Sequence, residues 1–545
     1  MTMDRFKQRL QRIGVPSMIF LVLAFFFCRP IEDYDIWFHM VVGREIVESG
    51  KIPDQMFYLL PLMGEPRSFI EWGFGLTYHL IYVLTGFVGM ALLNAILGAG
   101  ALFFAYRSAL LNRSLLNPVA ILVLACIAYW IKFRINYRAE GFLYLAIGLE
   151  IWILERYLIR NNWHWLAAIP AIGWVLIQLH PSVIFLLPIL GAYAADQIIT
   201  PTNNQSRLSI AGRFSLAGIT TLVVACINPL GWHQVTLPIQ AIFSSNSSWI
   251  DITEYAPIMD TNLSGIFLAS TLIGLVSVIF QSQRRVAYGL LLVFFGLLTY
   301  QYVRNFGLFC LILLAPAVRF ALQISPSSLK PNYQYTLATM LLAGLISLPF
   351  WQGEWGIGPK PELFPKHATA KLQQSFPNGT NVLNFFDYGG YLAWSLPSSF
   401  KLFVDGSDTK VNRAVELHDA IFRADAGWEK KLAELKIDAI FTPAVMQYSG
   451  KNIPLIEQLA HNNNWILTSR ESSGMLFLRN THAQIALDKR EIWAQMILEA
   501  NREIKAYPTH PDPWESLAMA NFYLGNAAQS EQAAKQFKIL IEKPL

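Results

Sequence analysis

Charge is what this chain has least of. Asp, Glu, Lys and Arg make up 14% of its 545 residues, while 54% are hydrophobic. Soluble domains carry about 25% charged residues, so a freely soluble enzyme is excluded. Cysteine is scarce as well: the four present, Cys28, Cys126, Cys226 and Cys310, all lie in or beside apolar stretches. That pattern suggests neither a disulfide framework nor a thiolate metal site. There is no basic stripe and no recognition module, and the net charge is only +5, which argues against nucleic acid as a partner. A small-residue cleavage site is missing too. Phe25-Phe26-Phe27-Cys28-Arg29 follow the first apolar stretch, which therefore reads as a retained signal anchor and not as a removed signal peptide.

What is abundant is uncharged sequence. The runs Gly86–Tyr106, Ser114–Ile131, Thr261–Gln283, Val286–Val303 and Pro331–Gly353 contain no charged residue. Each approaches the roughly 20 apolar residues that cross a bilayer. Arg5, Lys7, Arg9 and Arg12 precede the first span, about Val15 to Cys28, and hold the N-terminus in the cytoplasm. The uncharged run Trp165–Ala195 is too long for one ordinary helix, and His180-Pro181 divides it. About twelve or thirteen spans result, and hydropathy alone does not decide which. Positions 1–360 hold 40 of the 79 charged side chains, so the remaining third is about twice as charged. There, short apolar runs alternate with helical patterns, the mark of a small α/β domain. Beyond it, Trp514, Leu517, Ala518, Ala520, Tyr523, Leu524, Gly525 and Ala533 resemble one tetratricopeptide-like helical pair, or else a helical hairpin packed on the α/β domain. The expected fold is thus a polytopic α-helical membrane domain over 1–360, an α/β domain over 361–482 and a helical tail over 483–545.

Acidic residues are concentrated in one place. Of 17 before position 361, eight lie in the polar loop that follows the first span (about 29–69) and at its exit: Glu32, Asp33, Asp35, Glu45, Glu48, Asp54, Glu65 and Glu71. Asp33-Tyr34-Asp35 comes within a few residues of the lipid surface. Ile36, Met40, Ile46 and Val47 have helical spacing, which predicts an interfacial amphipathic helix over Ile36–Ser49, ended by Gly50 and Pro53. Carboxylates at headgroup depth can act as general bases toward an acceptor hydroxyl or amine; they can equally be solvated or cap that helix. Fixed cations can stabilise a leaving phosphate. Lys132, Arg134 and Arg138 between two spans, Arg304-Asn305 within apolar sequence and His180 are the candidates. Ionisable groups in such positions are functional suspects because isolated charge is costly in hydrocarbon, although a positive-inside cluster, a loop or a packing histidine would also account for them.

The order of these blocks resembles a bacterial family of multi-pass proteins with the GT-C glycosyltransferase architecture. The residues that carry the resemblance are Asp33-Tyr34-Asp35-Ile36-Trp37-Phe38-His39, Gly43-Arg44, Gly50-Lys51-Ile52-Pro53, Glu71-Trp72, Leu179-His180-Pro181, Asn228-Pro229-Leu230-Gly231, Ile252-Thr253-Glu254-Tyr255 and Arg304-Asn305. In the C-terminal part Val382-Leu383-Asn384, Tyr388-Gly389-Gly390-Tyr391 and Phe403-Val404-Asp405-Gly406 belong to it. The resemblance implies an inverting transfer of a sugar from a polyprenyl-phosphate-linked donor to a glycan, lipid or protein acceptor. It implies that Asp33 or Asp35 is the base, with Glu71 as a second acid, and that Arg138 and Arg304, with Arg134 and His180, face the donor phosphate. Asp33 and Asp35 are also candidate ligands of a divalent ion, Mg²⁺ or Mn²⁺. It places the chain in the bacterial inner membrane with the C-terminal domain in the periplasm. Two other readings stand beside this one: a transporter of lipid-linked glycans, for which no internal repeat is visible, and a catalytically silent scaffold that binds a protein partner through the tail. Tyr388-Gly389-Gly390-Tyr391 lacks the spacing of a dinucleotide site, and Asp405-Gly406-Ser407-Asp408 reads as a turn or a polar ligand contact.

Overall fold

The computed structural model describes residues 14–110, 115–201, 206–243, 253–281, 285–325, 331–407, 412–483 and 485–542. Arg5, Lys7, Arg9 and Arg12, together with Ile252 and Asp408, lie outside the described residues. The chain forms two compact units, one of residues 1–33, 70–247 and 251–358, the other of residues 34–69, 248–250 and 359–545.

The first unit is helical. Among the described residues it contains twelve α-helices, from Val15–Phe26 to Pro331–Trp351. Among the described residues five helices are long and apolar enough to cross a membrane, Trp72–Leu110 and Val303–Ile324 among them, and five shorter apolar ones accompany them. Trp72–Leu110 is two helices joined at a bend, where Gly86 takes φ 65°, ψ −157°, a conformation open to glycine and closed to side-chain-bearing residues. Small residues then bring backbones together. A Cβ on Gly148 would lie 2.4 Å from the Ala101 carbonyl oxygen and one on Gly100 2.7 Å from Leu145 Cδ1, so the Trp72–Leu110 and Glu140–Arg160 helices approach closely along a glycine and alanine seam. The uncharged run around His180 is broken there: His164–Leu179 ends with His180 in an extended conformation, and a 3-10 turn, Ser182–Phe185, leads into Leu186–Ile199.

Toward the end of the Glu140–Arg160 helix lies a buried ion network. Glu155 accepts from the Tyr193 and Tyr288 hydroxyls, both at 3.0 Å, and pairs with Arg319 at 2.9 Å and Arg285 at 3.3 Å. Asp196 accepts the Val286 backbone N–H at 2.6 Å and meets Arg285 at 3.4 Å. Each charge is matched, as burial requires.

The second unit is built on a five-stranded sheet: β1 (Asn381–Asn384), β2 (Lys401–Leu402), β3 (Ile437–Thr442), β4 (Trp465–Glu471) and β5 (Gly474–Arg479), in the order β2-β1-β3-β5-β4. β1 runs parallel to β2 and β3, while β5 is antiparallel to β3 and β4. Most of the polar loop after the first span belongs to this unit. The helix Asp35–Ser49 buries Ile36, Trp37, Met40, Val41 and Val42. Trp37 packs among Phe364, Tyr391 and Trp394, and Arg44 donates to the Ala393 and Trp394 carbonyls at 2.8 and 2.9 Å. The apolar face expected on lipid is thus covered by protein, because the Gly389–Ser395 helix supplies a complementary aromatic surface. Further on, Leu402 donates its backbone N–H to Tyr58 and the Tyr58 hydroxyl donates to Asp405 at 2.5 Å, which fastens the loop to the edge of β2. The tail helices Arg490–Ala506, Asp512–Leu524 and Ala527–Ile541 belong to the same unit; Ile492, Trp493, Met496 and Ala520 join the core of the sheet.

Candidate functional site

Four separate pieces of the first unit bring charged side chains together. Asp33 lies just past the first helix. Arg134 and Arg138 sit between the Pro118–Ile131 and Glu140–Arg160 helices, and Glu140 opens the second of these. Glu254 and Tyr255 stand on the 3-10 turn Thr253–Tyr255, and Arg304 on the turn Val303–Asn305. Arg138 donates through Nε to Asp33 and through Nη1 to Glu254 Oε1 at 2.5 Å. Arg134 donates through Nη1 to that same Oε1 at 2.8 Å and through Nη2 to Glu140 Oε2 at 2.5 Å. Arg304 donates through Nη2 to Glu140 Oε1 at 2.5 Å and through Nη1 to the Tyr255 hydroxyl at 2.7 Å, its guanidinium 5.0 Å from the Tyr255 ring centre.

The result is a charge-balanced lattice of three guanidiniums and three carboxylates. Burial works to raise the Glu254 carboxyl, but the Arg134 and Arg138 guanidiniums outweigh it and hold that carboxyl down to about 2. The lattice is not sealed. The Arg138 and Arg304 side chains keep 25% and 29% of their surface exposed, so both are within reach of a ligand, whereas Arg134 keeps 14%.

His180 and Glu71 form a second pair. His180 Nδ1 accepts the Ser182 backbone N–H at 3.3 Å, which leaves the ring proton on Nε2, 3.5 Å from Glu71 Oε1. His180 is also near enough to Glu140 to act on it electrostatically. Lys132 is engaged elsewhere: its Nζ donates to Glu354 Oε2 and Gln352 Oε1, each at 2.8 Å.

Of the residues singled out from sequence, Asp33, Arg134, Arg138 and Arg304 are therefore joined in one lattice, and Glu71 and His180 in a pair beside Glu140. Asp35 belongs to the other unit, where a Cβ on Gly406 would lie 2.6 Å from its Oδ1. Glu140, Glu254 and Tyr255 complete the lattice; Glu254 and Tyr255 entered the sequence reading only as part of the resemblance, and none of the three was named as a site residue. The signal that points to the two glutamates is scarcity, since only nine acidic residues before position 361 lie outside the Glu32–Glu71 cluster. Among the described residues no three His, Cys, Asp or Glu side chains gather as a metal ion would require. The carboxylates of the lattice are committed to guanidiniums, a donor set that does not fit a divalent ion as it stands, and no step below is routed through one.

No family model matches the chain, and no curated protein matches it by sequence. Solved structures do. The archaeal oligosaccharyltransferase AglB from Archaeoglobus fulgidus, in complex with an inhibitory peptide and a dolichol-phosphate, superposes with a TM-score of 0.54 at 10% identity, over 88% of this chain and 75% of that one. The apo form of the Archaeoglobus fulgidus oligosaccharyltransferase gives 0.53 at 11% identity, over 90% and 78%. Its complex with Zn and sulfate gives 0.52 at 11% identity, over 95% and 83%. Coverage this broad at so little identity makes the likeness one of fold, and the fold this chain shares with the archaeal oligosaccharyltransferase is the GT-C architecture.

Proposed function

We propose that this protein is an inverting glycosyltransferase that moves a sugar from a polyprenyl-phosphate-linked donor to a glycan, lipid or protein acceptor at the outer face of the bacterial inner membrane. The observation that carries the reading is the convergence of Arg134 and Arg138 from one loop and Arg304 from another onto one lattice that includes Asp33. Guanidiniums fit phosphate oxygens in number and geometry, and a carboxylate beside them is placed to take a proton.

In the reaction as we read it, Asp33 accepts the proton of the acceptor hydroxyl or amine as that atom attacks the anomeric carbon. The bond from the anomeric carbon to the phosphate oxygen breaks with its electron pair going to the phosphate. Arg138 and Arg304, the two partly exposed guanidiniums, stabilise the charge that develops there. A single displacement from the opposite face inverts the anomeric centre. Glu71 serves as a second acid, and His180, whose Nε2 lies 3.5 Å from it, faces the donor phosphate together with Arg134. The basic N-terminal segment stays cytoplasmic, so the loop after the first helix, and the C-terminal α/β domain with it, is periplasmic. The dolichol-phosphate bound in the similar archaeal oligosaccharyltransferase AglB, and the acceptor peptide tethered to the Archaeoglobus fulgidus oligosaccharyltransferase in another of its structures, support a lipid-linked donor and a separate acceptor.

The test is a mass-spectrometric comparison of envelope glycans and glycoproteins from a deletion strain, its wild-type complement and an Asp33→Asn/Asp35→Asn complement. Loss of one defined sugar mass in both the deletion and the double variant is expected. A double variant that behaves as wild type while the deletion shows a defect would sink catalysis and leave a scaffold that acts through its tail.

A further inference from the structure

Glu140 and Glu254 use their oxygens differently. Glu140 gives one oxygen to Arg134 and the other to Arg304, and it opens a helix of 21 residues. Glu254 gives a single oxygen, Oε1, to two guanidiniums at 2.8 and 2.5 Å, stands on a turn of three residues and keeps 26% of its side chain exposed. An oxygen held between two arginines is a position that suits a phosphate oxygen, because guanidiniums donate to carboxylate and phosphate oxygens alike. We infer that Glu254 is an internal place-holder: it occupies the subsite of a donor phosphate oxygen and is displaced when the donor binds, whereas Glu140 is a fixed brace for Arg134 and Arg304. This inference rests on the transferase reading above.

Charge balance supports the exchange. With Asp33, Glu140 and Glu254 against three arginines the lattice is neutral. An empty site without Glu254 would leave an uncompensated guanidinium at headgroup depth, which is costly. A sugar-phosphate diester carries one negative charge, so it replaces Glu254 without changing the sum.

The experiment measures farnesyl phosphate binding to the full-length protein in detergent by titration calorimetry, with thermal melts to check folding. Glu254→Gln is compared with Glu140→Gln, which changes the net charge by the same amount. The place-holder requires Glu254→Gln to bind about tenfold more tightly or better, and Glu140→Gln to bind equally or more weakly because Arg134 and Arg304 lose their brace. Equal tightening in both variants would reduce the effect to net charge and overturn the inference. Wild-type binding with no gain in Glu254→Gln would overturn it too, while leaving the transferase reading intact. Should neither wild type nor Glu254→Gln bind the probe, the phosphate site falls and the transferase reading falls with it. If Glu140→Gln does not fold, Glu254→Asp replaces it: the shorter carboxylate keeps the charge and must bind between wild type and Glu254→Gln.

Discussion

Glu499 is fully buried on the Arg490–Ala506 helix, where its Oε2 accepts the Ala444 and Val445 backbone N–H groups at 2.7 and 3.0 Å and its Oε1 accepts from Gln495 at 2.6 Å. Burial nevertheless dominates these bonds and pushes the carboxyl up to about 7. A carboxyl raised in the folded chain binds its proton more tightly there than when unfolded. Its contribution to stability is therefore complete below about pH 4.5 and is lost as the pH climbs through about 7, on the order of 3 kcal/mol for this group. Glu499→Gln keeps an acceptor for both backbone N–H groups, and a flipped Gln495 amide can pair with its new N–H₂. The variant should lose less melting temperature than the wild type between pH 5 and pH 8, its remaining fall coming from Asp387, whose carboxyl burial pushes up to about 6; parallel falls in the two proteins would remove Glu499 as the cause. At this scale the candidate lattice was half legible. Asp33, Arg134, Arg138 and Arg304 stand out because charge is rare in apolar sequence. Glu140 and Glu254 are equally rare, but scarcity does not say which acid meets which arginine across more than a hundred residues.

At the scale of elements, periodicity identified the helix after the first span but not what it packs on. Ile36, Met40 and Val41 fall on one face in either case, and an apolar stripe meets lipid or protein with the same spacing. Its partner, the Gly389–Ser395 helix, lies 340 residues further on, and the contact depends on a missing side chain. A Cβ on Gly390 would stand 2.9 Å from the Phe38 backbone nitrogen and 3.3 Å from Trp37 Cβ. Backbone cannot yield as a flexible side chain can, so Gly390→Ala should push the Asp35–Ser49 helix off its seat at a cost of about 1–3 kcal/mol. A lower melting temperature together with faster proteolysis between Tyr34 and Phe69 is the expected outcome, and unchanged proteolysis would mean that the helix is held mainly by Arg44. The break at His180-Pro181, by contrast, was readable from sequence alone, since proline and a polar residue inside an overlong apolar run leave few other places to end a helix.

At the scale of the molecule, the excess of uncharged sequence before position 361 and its relief afterwards marked out a helical unit and an α/β unit, but the assignment of 34–69 to the second unit needed long-range contacts that no local pattern contains. On the function proposed above, the helical unit also separates stability from binding. Glu140 begins and Glu155 nearly ends the same helix, about 22 Å apart along its axis at 1.5 Å per residue. One end carries two partly exposed arginines, Arg138 and Arg304, in the lattice with Asp33, Glu140 and Glu254. At the other end Glu155 is 1% exposed and satisfies four partners, two of them arginines. Glu155→Gln leaves Arg319 and Arg285 buried with half their compensation removed, a loss of about 3–5 kcal/mol for a buried pair broken on one side. Arg138→Gln removes a partly exposed charge and should destabilise far less, while it abolishes one of the two guanidiniums available to a phosphate. Folded Glu155→Gln should therefore melt well below wild type yet bind farnesyl phosphate with wild-type affinity, and Arg138→Gln should melt close to wild type yet bind at least about tenfold more weakly. If both variants lose affinity in proportion to their stability, the two ends of the bundle are a single cooperative structure, and the arginine lattice cannot be treated as a site apart from the scaffold that holds it.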